Sequence, residues 1–404
     1  MSGERQGPLA GVRVVDLTSV FAGPSASQVL ADLGADVIKV ESPEGDVTRR
    51  IGPGHEAGLG PTFIGLNRSK RAISLDLKTD DGREALLRIV STADVFLCSV
   101  RPAAMERLGL GYDALRQRNP SIIYAAIVGF AQNGPNAALA VYDDLVQAAS
   151  GISSLLSHSG SPEYMPVAIA DRTVGMMTFG AIAAALYGRE RTGEGQEIEI
   201  PMFETMAGVV LGDHLYGETF IPARGPMGYP RLTSHARRPY RTADGFLCCI
   251  VYTDAHWQEF LSLTGTPELW TSDARFADLT TRTGNIDALY SLVAERLLSR
   301  TTAEWLDALR ARDIPCFPVN DLPSLLEDPQ LDASEFFEVT QHPVVGQVRL
   351  MRHPLSWGGR TMPLGPAPSH GQHTRTVLAE AGYSESEIDA LIEAGAASGD
   401  ATTR

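Results

Sequence analysis

One aspartate stands where a carboxylate could act as a nucleophile. In Pro166-Val-Ala-Ile-Ala-Asp171-Arg-Thr-Val-Gly175-Met-Met, small and apolar residues surround Asp171 at the start of a helical pattern. A carboxylate at a helix N-terminus can cap the free N–H groups of the first turn, and the macrodipole there favours its ionised form. Ionised carboxylates attack activated acyl groups. The plain alternative is that Asp171 only caps its helix. Upstream, Asp143-Asp144 is a pair of adjacent acids with no His, Cys or suitably spaced acid nearby. No metal site is therefore expected, and the pair reads as structural or orienting. His158 sits in Ser157-His-Ser-Gly160, a turn composition that places a histidine at the surface. Cys98, Cys248, Cys249 and Cys316 lack C-x-x-C spacing. Cys248 and Cys249 would face opposite sides of a strand, so neither disulfides nor zinc are expected.

These residues belong to a chain of 404, 44% hydrophobic and 21% charged, the profile of a globular protein long enough for more than one domain. Lys and Arg number 34 against 49 Asp and Glu, a net charge of -15, so a nucleic-acid partner is not expected. Basic residues nevertheless gather in the first third, at Arg49, Arg50, Arg68, Lys70, Arg71, Lys78, Arg101 and Arg107. Such clusters usually face water, but they leave room for an anionic ligand. The first residues lack the apolar core of a signal peptide, and no stretch reads as long enough for a membrane span. A cytoplasmic protein with no membrane partner is the expectation.

The elements that must position Asp171 alternate. Gly11 to Leu17 reads as a buried strand, a helix starts near Pro24 and ends at Gly34, and Asp36 to Glu41 is a second strand. Strand 72–77, helix 81–91, strand 94–100, a helical turn at 103–108, helix 113–118 and strand 122–128 continue the pattern. Alternation of this kind predicts an α/β, Rossmann-like doubly wound sheet with helices on both faces. The first turn, Ser19-Val-Phe-Ala22-Gly23-Pro24, has one glycine where dinucleotide binding needs G-x-G-x-x-G, so nicotinamide binding is disfavoured. The helix 173–191, rich in Ala, Gly and Met, is expected to be nearly all buried, ending at Gly193-Glu-Gly195 before a strand at 196–200. From about Gly217 to Arg241 the pattern breaks up. A strand at 246–252 and helices to about Arg312 suggest a smaller α+β domain, and helices at 373–380 and 384–394 close the chain.

Several motifs in order resemble the family III coenzyme A transferases of the CaiB/BaiF type, which include formyl-CoA transferases and the α-methylacyl-CoA racemases. They include Gly11-Val-Arg-Val-Val-Asp16-Leu, Leu30-Ala-Asp-Leu-Gly-Ala-Asp-Val-Ile-Lys-Val-Glu41, Asn67-Arg-Ser-Lys-Arg71, Arg191-Thr-Gly-Glu-Gly-Gln196, Pro239-Tyr-Arg-Thr-Ala-Asp-Gly245 and Gly371-Gln-His-Thr-Arg375. Each is weak alone, but their order spans nearly the whole chain. The resemblance implies that Asp171 forms the acyl-enzyme. It implies that Val20, Phe21 and Ala22 lie beside the pantetheine and thioester, and that Leu75, Lys78, Ser99, Val100, Arg107 and Leu108 line the nucleotide end. Lys78 and Arg107 would meet phosphates as point charge and fork respectively. It also implies an interlocked homodimer, with a large domain from 1–217 and 329–404 and a small domain within 218–328. Acyl-CoA and a carboxylic acid are the implied substrates; no cofactor is implied beyond the coenzyme A thioester itself.

The racemase branch is the alternative. Racemases place a His-Asp pair where this chain has Tyr142-Asp143, with the histidine exchanging the α-proton. Tyrosine ionises near pH ~10 in water and is a poor base at neutral pH, so the transferase is favoured. Phe21 replaces the polar residue of formyl- and oxalyl-type enzymes and predicts a bulkier or less polar acid. The stretch Gly225-Pro-Met-Gly228 has only scattered glycines where some transferases carry a covering loop. Arg224, Arg231, Arg237 and Arg238 could hold the far carboxylate of a dicarboxylic acid, although loop arginines are commonly just exposed.

Overall fold

Side chains in the main sheet alternate between two cores. In segment 95–98, Val95 and Leu97 join one apolar cluster while Phe96 and Cys98 join another. In segment 123–128, Ile123, Ala125 and Ile127 go one way and Tyr124, Ala126 and Val128 the other. A strand buried on both faces needs an unbroken apolar run, and these segments supply it. Each large side chain so buried contributes ~1.5–3 kcal/mol.

The computed structural model describes residues 6–54, 57–157, 160–358 and 362–399. Its strands are β1 (Arg13–Leu17), β2 (Asp36–Glu41), β3 (Arg71–Leu75), β4 (Val95–Cys98), β5 (Ile123–Val128), β6 (Gln196–Pro201), β7 (Tyr240–Arg241), β8 (Phe246–Cys249), β9 (Cys316–Pro318), β10 (Phe337–His342), β11 (Gly346–Met351) and β12 (Ala397–Ser398). The main sheet runs β12-β3-β2-β1-β4-β5-β6. All its pairs are parallel except β12 with β3. This is the expected doubly wound α/β order, with the strand order, not the strand direction, reversing between β1 and β4. Helices α1 (Ala22–Asp32), α2 (Pro61–Asn67), α3 (Asp80–Val90), α4 (Pro102–Arg107), α5 (Tyr112–Arg118), α6 (Asp143–Ala149), α7 (Ile152–Leu155) and α8 (Ile169–Thr192) follow in sequence.

The chain divides into two compact units, the first drawing on residues up to 156, 162–208 and from 332 on, the second chiefly on 209–331. In the second, β7, β8 and β9 form an antiparallel sheet. Trp257, Phe260, Phe276, Leu289 and Trp305 fill its core. The expected strand at 246–252 stops at Cys249. Cys248 is exposed and Cys249 buried, on opposite sides as the pleat requires.

Two expectations for α8 need correction. Only Ala170, Val174, Gly175, Thr178, Ile182 and Ala185 are buried, while Met176 and Met177 are 55% and 53% exposed. The reason is geometric: a helix docked on α1 and the sheet covers one stripe, however apolar its other faces are. By length and composition α8 also passes as a membrane-crossing helix, contrary to the reading that no stretch is long enough. A core helix satisfies the same test, and the buried stripe of α8 belongs to the apolar core it shares with α1.

Candidate active site

The connection from β1 to α1 turns on a β-branched residue. Val20 has φ 70°, a left-handed conformation that costs an L-residue with a Cβ about 1–2 kcal/mol. Charges buried beneath it hold the turn. Asp46 Oδ2 accepts from the Val20 N–H at 3.3 Å and from Lys39 Nζ at 2.9 Å. Lys39 also donates to the Thr18 carbonyl at 2.9 Å. At the end of β1, Asp16 Oδ2 accepts from Ser27 Oγ at 2.6 Å and from Lys70 Nζ at 3.3 Å. Lys70 donates further to Ser27 Oγ at 2.7 Å and Asn67 Oδ1 at 2.9 Å. Burial alone would raise the Asp16 carboxyl, but the charges of Lys70 and Lys39 and hydrogen bonds from Ser27 and Thr18 outweigh it and hold it below the ordinary range. For Lys70, burial prevails over Asp16 and brings the ammonium down to about 8.

Glycine brings α8 to this turn. A Cβ on Gly175 would lie 2.8 Å from Ser25 Cβ and 2.9 Å from the Ala22 carbonyl oxygen, so only hydrogen at that position lets the two helices approach this closely. The first turn of α8 is thereby set against Phe21 and Ala22.

Asp171 is the third residue of α8, and the N-cap is Ala168 with no side-chain cap. The capping role read from the sequence is therefore not the one Asp171 has. Instead Asp143, at the start of α6, accepts from the Asp171 backbone N–H through Oδ1 at 2.9 Å. Gln147, one turn on, donates to Asp143 Oδ2 at 2.5 Å and accepts from the Met165 N–H at 2.9 Å. Asp143 thus has the orienting place expected of it. Among the described residues the Asp171 carboxylate itself has no hydrogen bond or ion pair. Burial, and then the negative charge of Asp143, push it up to about 6, with Arg172 opposing. Arg172 is directed to Ser25 Oγ at 3.2 Å and over the Phe21 ring at 5.6 Å. The helix end does not hold this acid at an ordinary value, yet at pH 7 roughly nine molecules in ten still carry the charge.

Asp171 opens onto a groove of about 400 Å³ at the carboxyl ends of β1, β4, β5 and β6. Doubly wound sheets bind ligands in this crevice, where strand order reverses. Of the residues expected at the site, Val20, Phe21, Ala22, Ser99, Val100, Tyr142 and Asp171 line the groove. Arg107 lines an adjoining hollow of about 280 Å³ that shares Arg101, Pro102 and Gln132 with it. Leu75, Lys78 and Leu108 line neither: Leu75 is buried in the core, Leu108 packs against that core, and Lys78 is exposed. Sequence reasoning missed Arg101, Gln132, Leu139 and Met202. For Arg101 a signal existed, an arginine directly after a strand end; for the others the chain pattern carries none. His158 lies outside the described residues. Among the described residues no group of three or more His, Cys, Asp or Glu side chains could hold a metal ion.

Three comparisons bear on this geometry. Residues 9–374 match the model of CoA-transferase family III. The chain is 34% identical over 398 residues to a succinate–glutarate CoA-transferase of Agrobacterium fabrum, covering 93% of this chain and 96% of that one. It is 32% identical over 388 residues to "Probable fatty acyl-CoA transferase Rv3272" of Mycobacterium tuberculosis, covering 92% and 98%. A crystal structure of a CAIB/BAIF family protein from Brucella suis superposes with a TM-score of 0.77 at 33% identity, covering 93% of this chain and all of that one. A doubly wound sheet whose switch-point crevice holds one carboxylate is thus joined to end-to-end likeness, and the chain belongs to CoA-transferase family III, an enzyme that transfers coenzyme A.

Proposed function

We propose that coenzyme A passes from an acyl-CoA donor to a carboxylic acid by way of covalent intermediates on Asp171. The observation that carries this reading is that Asp171 is the one acidic side chain among the residues lining the groove. Its carboxylate attacks the donor thioester carbonyl, forming an aspartyl mixed anhydride and releasing CoA thiolate. The thiolate attacks the aspartyl carbonyl of the anhydride, giving aspartyl-CoA thioester and the donor acid. The acceptor carboxylate attacks that thioester, forming a second anhydride and again freeing the thiolate. Attack of the thiolate on the acceptor acyl carbonyl then yields acceptor-CoA and restores Asp171. Each step exchanges one acyl bond for another, so the sequence needs neither ATP nor an oxidant.

An anhydride must be kept from water, and Phe21, Val100, Leu139, Val141 and Met202 give the groove an apolar wall suited to that. The raised Asp171 carboxyl fits a nucleophile that must desolvate to react. Val20, Phe21, Ala22, Ser99 and Val100 would meet the pantetheine and acyl end, and Arg101 and Arg107 the phosphates. A relative named for CoA transfer between succinate and glutarate supports a carboxylic acid acceptor, and one named for fatty acyl-CoA supports an acyl-CoA donor. Phe21 favours a less polar acyl group than formyl or oxalyl. A homodimer completes the proposal, supported by the exposed Met176 and Met177 on α8, and light scattering of the purified chain tests it.

The mechanism is tested by mixing enzyme and acyl-CoA without acceptor, quenching with hydroxylamine, and sequencing peptides by mass spectrometry. A hydroxamate at Asp171 is expected. A label elsewhere, or none while transfer proceeds, overturns the assignment.

A further inference from the structure

The second unit carries a cavity of about 250 Å³ with an unusual charge balance. Arg231, Arg237, Arg238 and Arg282 line it, and none of its lining residues is acidic. Arg282 is already paired with Asp254. Among the described residues, Arg231, Arg237 and Arg238 have no carboxylate partner, in a chain whose net charge is -15. Aromatic rings line the same space. The Arg231 guanidinium stands 5.5 Å from the centre of the Tyr252 ring, and the Tyr290 hydroxyl feels the charges of both Arg231 and Arg237. Tyr240, Trp257, Ile250 and Leu279 add aromatic and aliphatic walls.

Half-buried Arg231 and exposed Arg237 and Arg238 lining one space with aromatic walls match a planar carboxylate joined to an apolar body. The volume falls just short of the roughly 300–1,000 Å³ usual for drug-sized ligands, so a small acid fits and a CoA thioester does not. We infer that this cavity is a second ligand site, one that binds a small free carboxylic acid with an aromatic or branched apolar body, independently of Asp171. It is a reservoir or sensing site for an organic acid rather than part of the covalent cycle.

Cys248 lines the cavity and is exposed, whereas Cys98, Cys249 and Cys316 are buried, so its alkylation reports occupancy. The full chain is treated with N-ethylmaleimide in the presence of phenylacetate, hexanoate, inorganic phosphate or the neutral phenylacetamide. Peptide mass spectrometry follows Cys248, and titration calorimetry runs in parallel with the same compounds. Phenylacetate is expected to slow Cys248 labelling and to bind with measurable heat, while phenylacetamide does neither. Arg231→Gln and Arg237→Gln should each weaken binding roughly 10- to 100-fold, and Asp171→Asn should leave it unchanged. Equal protection by the amide, stronger binding of phosphate than of either acid, loss of binding in Asp171→Asn, or neither heat nor protection at millimolar acid each overturns the inference. None of these readouts requires turnover, so their failure is separate from failure of the Asp171 mechanism.

Discussion

Two acids at the carboxyl end of the same sheet have opposite fates. Asp16 is wholly buried, yet two lysines and two hydroxyls keep it charged and below its ordinary value. Asp171 is less buried, yet burial and then the like charge of Asp143 raise it to about 6, and among the described residues its carboxylate accepts no hydrogen bond. Burial acts on both; the difference lies in the partners. Asp16 has its counter-charges supplied by β2 and by Lys70 just before β3, and its task is to hold a turn. Asp171 is left uncompensated where the groove opens, and the residues around it fix its backbone rather than its carboxylate. The contrast separates charge used for architecture from charge kept available for reaction.

The comparison is broken most completely by Asp171→Asn. Turnover should fall by about 10⁴-fold or more with CoA binding kept, read by steady-state assay and by calorimetry with free CoA. On the other side, Lys70→Met leaves Asp16 buried with one fewer counter-charge, and urea unfolding should show a loss of roughly 3–5 kcal/mol. Turnover per folded molecule should change far less than in Asp171→Asn. Asp46→Ala strikes the link between the two regions, freeing the Val20 N–H and leaving Lys39 short of a partner. With Phe21 and Ala22 no longer held, kcat/KM should fall by roughly 10- to 100-fold while the circular dichroism spectrum is kept.

The smallest effect has a telling sign. Because folding raises the Asp171 carboxyl to about 6, the native state holds this proton more tightly than the unfolded chain does. The stability this supplies is complete below the unfolded value of 3.8 and is lost as pH rises through about 6. Asp171→Asn should therefore be more stable than the parent by ~1–2 kcal/mol at pH 8, with the advantage gone at pH 3.5, as measured by urea unfolding at both values. The same titration should appear in the parent as kcat/KM falling about tenfold per pH unit below pH 6. An Asp16→Asn variant should lack the stabilisation at pH 8, because its carboxylate is held charged.

The doubly wound order and the place of Asp171 at the start of a helix are legible in the chain because they rest on local periodicity and on neighbouring residue types. Val20 to Ala22, Ser99 and Val100 follow strand ends, and strand ends on the carboxyl side of such a sheet converge on one crevice. Leu75 illustrates the limit: it too ends a strand, but β3 lies two strands away from the switch point and its side chain turns into the core. Met202 and Gln132 reach the groove only through the pairing of β5 with β6, which no short-range pattern records. The burial of α8 departs from its composition for a related reason, since composition reports how apolar a helix is and not which faces find a neighbour.

Residue order by itself determined the alternation of strands and helices, the single carboxylate in a small, apolar run, and the likeness to CoA-transferases. Only the folded chain decided that Asp143, twenty-eight residues earlier, spends its carboxylate on the Asp171 backbone N–H, and that Lys39 goes to Asp46 and Lys70 to Asp16 rather than to Asp171. Electrostatic compensation is settled over a few ångströms between elements far apart in sequence, and strand register and helix docking fix those distances.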